Sequence, residues 1–256
     1  MARKPQKDSL LTTLKLWLRK SKRWGTGVPF DEFQSVISKL RHAFVSIPSG
    51  KGLLSPCNTV LRAQPTLVYL HRNHFLQQAL SDCRTLLHES TVAPMLCKEL
   101  VAGWPEFVGV KDMSGHVVGG IIVGENKACV PTLFRFEWPD DIKRKIISDS
   151  NPSGKLTNLD LECAGLLMLW LVMEDVCDIT TGKHVALFSD NMPTVHWVNR
   201  LSYKSSLVAG QLIRALALWL KMMGASPLST VHVAGIQNLM TDIPSKFVWD
   251  SEKVAL

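Results

Sequence analysis

Apolar residues recur at spacings of three and four in Leu10, Leu11, Leu14, Trp17 and Leu18, which share one helical face while basic residues take the other. The same period returns in Phe30, Phe33, Val36, Ile37, Leu40 and Phe44. It predicts a partner helix over Thr66 to Leu87 through Leu67, Leu70, Leu76, Ala79, Leu80, Cys83 and Leu87. Pro48, Gly50, Gly52, Pro56 and Pro65 interrupt this helical region and predict a loop. Near Gly103 to Pro105 the pattern changes, and a domain boundary is expected there.

Beyond that point β-branched runs dominate. Phe107 to Val110 and Val117 to Val123 read as a hairpin turning at Asp112, Met113, Ser114 and Gly115, with Leu133 to Trp138 as a third strand. Leu159 to Val176 is a buried helix, Val185 to Phe188 a short strand, and Asn191 with Pro193 starts another helix. Ser206 to Met223 is an amphipathic helix, Val231 to Val233 a last strand, and a helical turn follows Asn238. The fold class is therefore α/β, a hairpin-led mixed five-stranded sheet with helices packed on its faces, preceded by a mainly helical module.

Charge changes this picture at one end of the chain. The net charge is +7, and the first 25 residues alone supply that surplus through Arg3, Lys4, Lys7, Lys15, Arg19, Lys20, Lys22 and Arg23 against Asp8. A basic leader on a balanced body suits a polyanion such as nucleic acid; a solvated tail is the alternative for Arg3 to Lys7. The 6 cysteines include no close pair of the kind that binds zinc. They read as buried apolar residues of a reducing compartment. No secretory signal is seen, and the run from Cys163 to Met173 is too short to span a bilayer, so an intracellular chain, cytoplasmic or nuclear, with no membrane partner is expected.

Four acids fall where this order of elements converges at strand ends. Asp112 ends the first strand, Glu162 lies in the first turns of the buried helix, Asp190 ends the fourth strand and Asp242 lies in the terminal turn. Asp112 also suits a turn former, and Asp190 and Asp242 suit helix caps or first-turn acids. Glu162 has only apolar neighbours in Leu161, Cys163, Ala164, Leu166 and Leu167, so it needs a partner that a metal can supply. Asp160 competes with it, but Thr157 and Asp160 have the spacing of a capping box, which leaves Glu162 as the site residue.

Several stretches then resemble the ribonuclease H domain of retrotransposon reverse transcriptases. Leu156 to Glu162 resembles the glutamate-bearing helix, and Ser189, Asp190, Asn191 with Thr194 resembles the fourth-strand motif. His232, Gly235, Asn238, Asp242, Ser245 and Lys246 resemble the closing pattern, with Lys246 in place of arginine and Thr241 in place of alanine. Ser38, Lys39, Leu40, His42 and Ala43 are similar to a helix between polymerase thumb and nuclease, with Ser38 where glycine is usual. The likeness runs from Phe30 to Trp249 and is most specific in its last ninety or so residues.

The resemblance implies hydrolysis of the RNA strand of an RNA·DNA hybrid by two metal ions, magnesium with manganese as substitute, held by Asp112, Glu162, Asp190 and Asp242. Arg200 and Lys204 are candidates for gripping the phosphate backbone. His232 matches a patterned strand histidine and is left out of catalysis, and His196 and Trp197 read as packing residues. The tyrosine-x-aspartate-aspartate turn of a polymerase is missing, so a polymerase domain or subunit of a full element is a further expected partner. The implied organisation is a basic segment over 1–25, a thumb or connection-like region over 26–103, a ribonuclease H-like domain over 104–249 and a tail over 250–256. A catalytically silent nucleic-acid-binding remnant is the alternative of a different class. An actin-like phosphotransferase, suggested by Asp112 to Gly115 beside Gly119 and Gly120, is a third.

Overall fold

The computed structural model describes residues 4–21, 27–47, 50–92, 103–124, 130–179, 183–201, 207–223, 228–235 and 238. The chain divides into two compact units, one of Met1–Val101 with Arg200–Tyr203 and Arg214–Gly224, the other of Ala102–Asn199, Lys204–Ile213 and Ala225–Leu256.

In the first unit the elements are α1 (Lys4–Lys20), β1 (Val28–Pro29), α2 (Phe30–Ala43), α3 (Gly50–Leu53), α4 (Ser55–Ala63), β2 (Leu67–Val68) and α5 (His74–Val92). The predicted apolar stripes form its core. Leu10, Leu14 and Trp17 of α1 are buried, as are Phe33, Val36, Ile37 and Leu40 of α2 and Leu76, Leu80, Cys83 and Leu87 of α5. Trp17 stacks on Phe33 with ring centroids 5.9 Å apart, and its Nε1 donates to Glu32 Oε1 at 3.0 Å.

Two expectations for this unit are corrected. The helix over Thr66 to Leu87 begins only at His74, because Val68 pairs with Val28 in a short antiparallel ladder and Asn73 Oδ1 then accepts the Leu76 amide at 3.0 Å as a helix cap. Leu67, counted on the helical face, is exposed instead. The expected loop between Pro48 and Pro65 contains α3 and α4, since Pro56 sits in the first turn of α4, where its missing N–H costs no hydrogen bond.

The second unit is built on β3 (Phe107–Met113), β4 (Val117–Gly124), β5 (Thr132–Glu137), α6 (Asp140–Lys143), α7 (Asn158–Val176), β6 (Val185–Ser189), α8 (Met192–Arg200), α9 (Leu207–Met222), whose last residues belong to the first unit, and β7 (Ser229–His232). The five strands form one sheet in the order β5-β4-β3-β6-β7. The first three are antiparallel neighbours, and β6 and β7 add on parallel, so the expected mixed, ribonuclease H-like sheet is present. The short helix α6 was not expected, and Trp138 falls just outside β5.

The long helix α7 fixes the site, and its start is written in the sequence. Thr157 Oγ1 accepts the Asp160 amide at 3.3 Å, and the Asp160 carboxylate accepts the Thr157 amide at 2.8 Å, which completes the expected capping box. Replacing Thr157 with alanine is expected to lower stability by about 0.5–2 kcal/mol, read as a shift of the urea midpoint. Along α7, Leu161, Leu166, Leu169, Trp170 and Met173 are buried. The helix lies close on β3 because Gly109 has no side chain: a Cβ there would come within 2.7 Å of Met173 Sδ and 2.9 Å of Leu169. Cys57, Cys83, Cys163 and Cys177 are buried and in no disulfide, as expected of small apolar residues. No helix among the described residues is long and apolar enough to cross a membrane.

Candidate functional site

Strand alternation decides which side chains of β3 meet α7. Phe107, Gly109 and Lys111 share the face that α7 covers, and Asp112 falls on the other parity. Lys111 is completely buried, its stem running past Gly165 of α7, where a Cβ would stand 3.6 Å from the Lys111 Cδ. Its Nζ pairs with Glu162 Oε2, one turn earlier on the same helix.

Asp112 lies inside the strand, opposite Gly119, and is buried; the β-turn itself is made by Ser114 and Val117, which exchange backbone hydrogen bonds at 2.9 and 3.3 Å. Asp112 is thus neither the last residue of the strand nor the turn former it suited. Asp190 follows β6 directly. Its Oδ1 is buried and has no hydrogen-bond partner, and its Oδ2 faces Gly235, where a Cβ would stand 3.8 Å away. The cap of α8 belongs to Asn191, whose Oδ1 accepts the Thr194 amide at 3.0 Å, so capping does not use the Asp190 carboxylate.

The other two described acids bear on Glu162. Burial pushes the Glu162 carboxyl above the usual carboxylate range, Lys111 opposes that rise by charge and by hydrogen bond, and the charges of Asp190 and Asp112 add to it. Asp242 and Lys204 lie outside the described residues. Arg200 is exposed at the end of α8.

The closing pattern reaches this site through two contacts. Asn238 is buried and its Nδ2 donates to the Lys111 carbonyl at 3.1 Å, while the His232 ring Nε2 is 3.0 Å from the Asp190 carbonyl. His232 thus contacts the backbone of Asp190. His196, expected to pack, is exposed. The buried residues of α8 are Thr194, Val195 and Val198, and its hydrogen bonds to β7 come from Asn199, which was not singled out. Its side chain bonds the Thr230 carbonyl at 2.7 Å, amide at 2.8 Å and hydroxyl at 2.6 Å, fastening β7 to α8.

Sequence reading missed Lys111 altogether. The signal was there: on the inward parity of Phe107 and Gly109, a lysine must find a buried partner. It also missed a cavity of about 590 Å³ whose lining includes Gly115, His116, Lys143, Arg144 and Asn158. Gly115 follows the strand of Asp112, and Asn158 opens the helix of Glu162, so this basic hollow borders the elements that carry the acids.

No protein-family model matches the chain, and no curated protein matches it. Solved structures of foamy virus protease-reverse transcriptase are similar at low score. The foamy viral enzyme in complex with dsDNA has 9% identity over 86% of this chain and 41% of that chain, with a TM-score of 0.32. The same enzyme with an RNA/DNA hybrid has 10% identity over 91% and 28%, with a TM-score of 0.33, and the native prototype foamy virus enzyme 11% over 83% and 26%, with 0.32. The chain spans less than half the length of each. The fold assignment rests on the strand order above.

The acids were expected to hold two divalent ions, and their geometry is a direct test of that fit. Among the described residues no three His, Cys, Asp or Glu side chains stand close enough to hold a metal ion. A hard dication needs Glu162 as an oxygen ligand, yet a buried ammonium already occupies that oxygen and would repel the ion. The described arrangement does not fit a two-metal centre that includes Glu162.

Proposed function

We propose that this chain is a ribonuclease H-like domain of reverse-transcriptase descent that holds nucleic acid, with an RNA·DNA hybrid as its natural ligand, and that it does not hydrolyse the hybrid. The observation that carries this reading is the Lys111–Glu162 pair, which gives the acid site an internal cation in place of an external one. Binding is supported by where the basic residues stand. Lys143 and Arg144 line the hollow beside the hairpin. In the first unit, Lys15, Arg84 and His88 line a cavity of about 320 Å³ formed with Leu11, Thr12 and Thr85. Phosphate contacts of this kind give affinity without sequence choice and fall away with salt.

Fluorescence anisotropy with a labelled RNA·DNA hybrid at rising salt tests this reading. Tight binding at low salt, with log affinity falling linearly against log salt and the RNA strand intact on a denaturing gel, is the expected result. No binding at any salt by the folded protein would overturn it. An active ribonuclease H is the second reading, favoured by the buried, unpartnered Oδ1 of Asp190, an acceptor without a donor beside two further acids.

A further inference from the structure

The positive charge of this chain is not shared evenly along its length. Residues 1–101 hold 15 Lys and Arg against 6 Asp and Glu, whereas residues 102–256 hold 14 against 16. From Phe33 to Ser81 there is no acid at all. A polyanion is therefore drawn to the first unit rather than to the unit that carries the acids. There α1 packs against α5, and the two run antiparallel. Gln77, near the start of α5, donates to the hydroxyl of Ser21, just beyond α1, at 2.8 Å, and Leu11 to Lys15 stand opposite Arg84 to His88. Leu10, Leu14, Leu80, Cys83 and Leu87 are buried, which gives the side chains along this edge a rigid base.

The cavity of about 320 Å³ at this edge takes Leu11, Thr12 and Lys15 from α1 and Arg84, Thr85 and His88 from α5, a single face of each helix. Its described lining has no carboxylate, and among the described residues Lys15, Arg84 and His88 form no ion pair. The threonines add no donor for a ligand. Thr12 Oγ1 donates to the Asp8 carbonyl at 2.9 Å, and Thr85 Oγ1 to the Ser81 carbonyl at 3.2 Å. The side-chain donors left are an ammonium, a guanidinium and an imidazole. Such a set recognises a compact oxyanion by charge and by the fork of arginine, not by base identity.

We propose that the α1–α5 cavity is a phosphate seat, in which Lys15, Arg84 and His88 face one phosphate group. Its occupant is a backbone phosphate of a bound strand, a step that rests on the nucleic-acid reading above. Free phosphate is the other source of the same chemistry.

Two titrations of the full chain at low salt separate these sources. The first uses inorganic phosphate alone, followed by the broadening of its ³¹P resonance. The parent is expected to broaden the line and Lys15→Gln/Arg84→Gln to lose most of that effect. Arg19→Gln/Arg62→Gln, which removes two exposed charges elsewhere in the unit, is expected to behave as the parent. Equal broadening by all three proteins, or none by the parent, would overturn the seat. The second follows a labelled RNA·DNA hybrid by anisotropy against salt. Lys15→Gln/Arg84→Gln is expected to bind more weakly, with the slope of log affinity against log salt smaller by about 1. A variant that keeps the parent's affinity and slope overturns the backbone phosphate as occupant. Broadening that depends on Lys15 and Arg84, in a chain that binds no hybrid, keeps the seat and overturns the nucleic-acid reading, so the two failures are distinct. Lys15 is exposed and Arg84 half-buried, so thermal melts near the parent's are expected. If the double variant melts early, Lys15→Gln/His88→Gln takes its place in both titrations.

Discussion

Replacing Glu162 with alanine is expected to cost about 3–5 kcal/mol of folding stability, because it strands the Lys111 ammonium in the interior without a partner. Few single changes in a domain of this size do as much. The expectation comes from geometry: Lys111 has no exposed surface, and its Nζ is committed to Glu162 Oε2. The double variant Lys111→Met/Glu162→Met removes both charges while keeping the volume, and is expected to lie within about 1.5 kcal/mol of the parent. Urea unfolding of the parent, Lys111→Met, Glu162→Met and the double variant measures the coupling. A Glu162→Ala loss below about 1 kcal/mol, in the range of an exposed pair, would mean that the lysine reaches solvent and that the pair is not internal.

The second large effect is expected at Leu169→Ala, at about 2–5 kcal/mol. Leu169 stands two turns beyond Glu162 on α7, has no exposed surface, and fills the space that Gly109 leaves open on β3. Truncating it opens a cavity beside Gly109, where the strand has no side chain of its own to fill it. Chemical unfolding reports the loss. Thermal melts of Leu169→Met, which keeps the volume, are expected to stay near those of the parent.

The sheet and its helices were legible because their signals are local. β-branched runs located β3 and β4, apolar length located α7, and the Thr157–Asp160 spacing located its cap to the residue. Where the reading failed, tertiary pairing had overridden local pattern: Leu67 and Val68 fit a helical stripe until β1 offered Val68 a partner in a ladder. The short helices α3 and α4 were lost because Pro56 and the nearby glycines were read only as breakers, although proline is welcome in a first turn.

Sequence singled out Asp112, Glu162 and Asp190 at the ends of neighbouring elements, and in the structure the charges of Asp112 and Asp190 bear on the buried Glu162. The partner that Glu162 takes in the structure is Lys111, one position before Asp112, whose meaning depends on parity against α7. A motif scan sees the aspartate, whereas only the packing shows which of two adjacent charged residues faces the glutamate. Asn199 escaped notice for a similar reason. Its three bonds to Thr230 join elements 31 residues apart, a relation with no local trace.

The most direct measurement of the central claim is incubation of purified protein with a labelled RNA·DNA hybrid, Mg²⁺ and then Mn²⁺, beside the Asp190→Asn variant. The account predicts a retained complex whose RNA strand stays full length in both proteins and with either ion. RNA cleavage by the parent that Asp190→Asn abolishes would contradict it and establish an active metal-dependent nuclease.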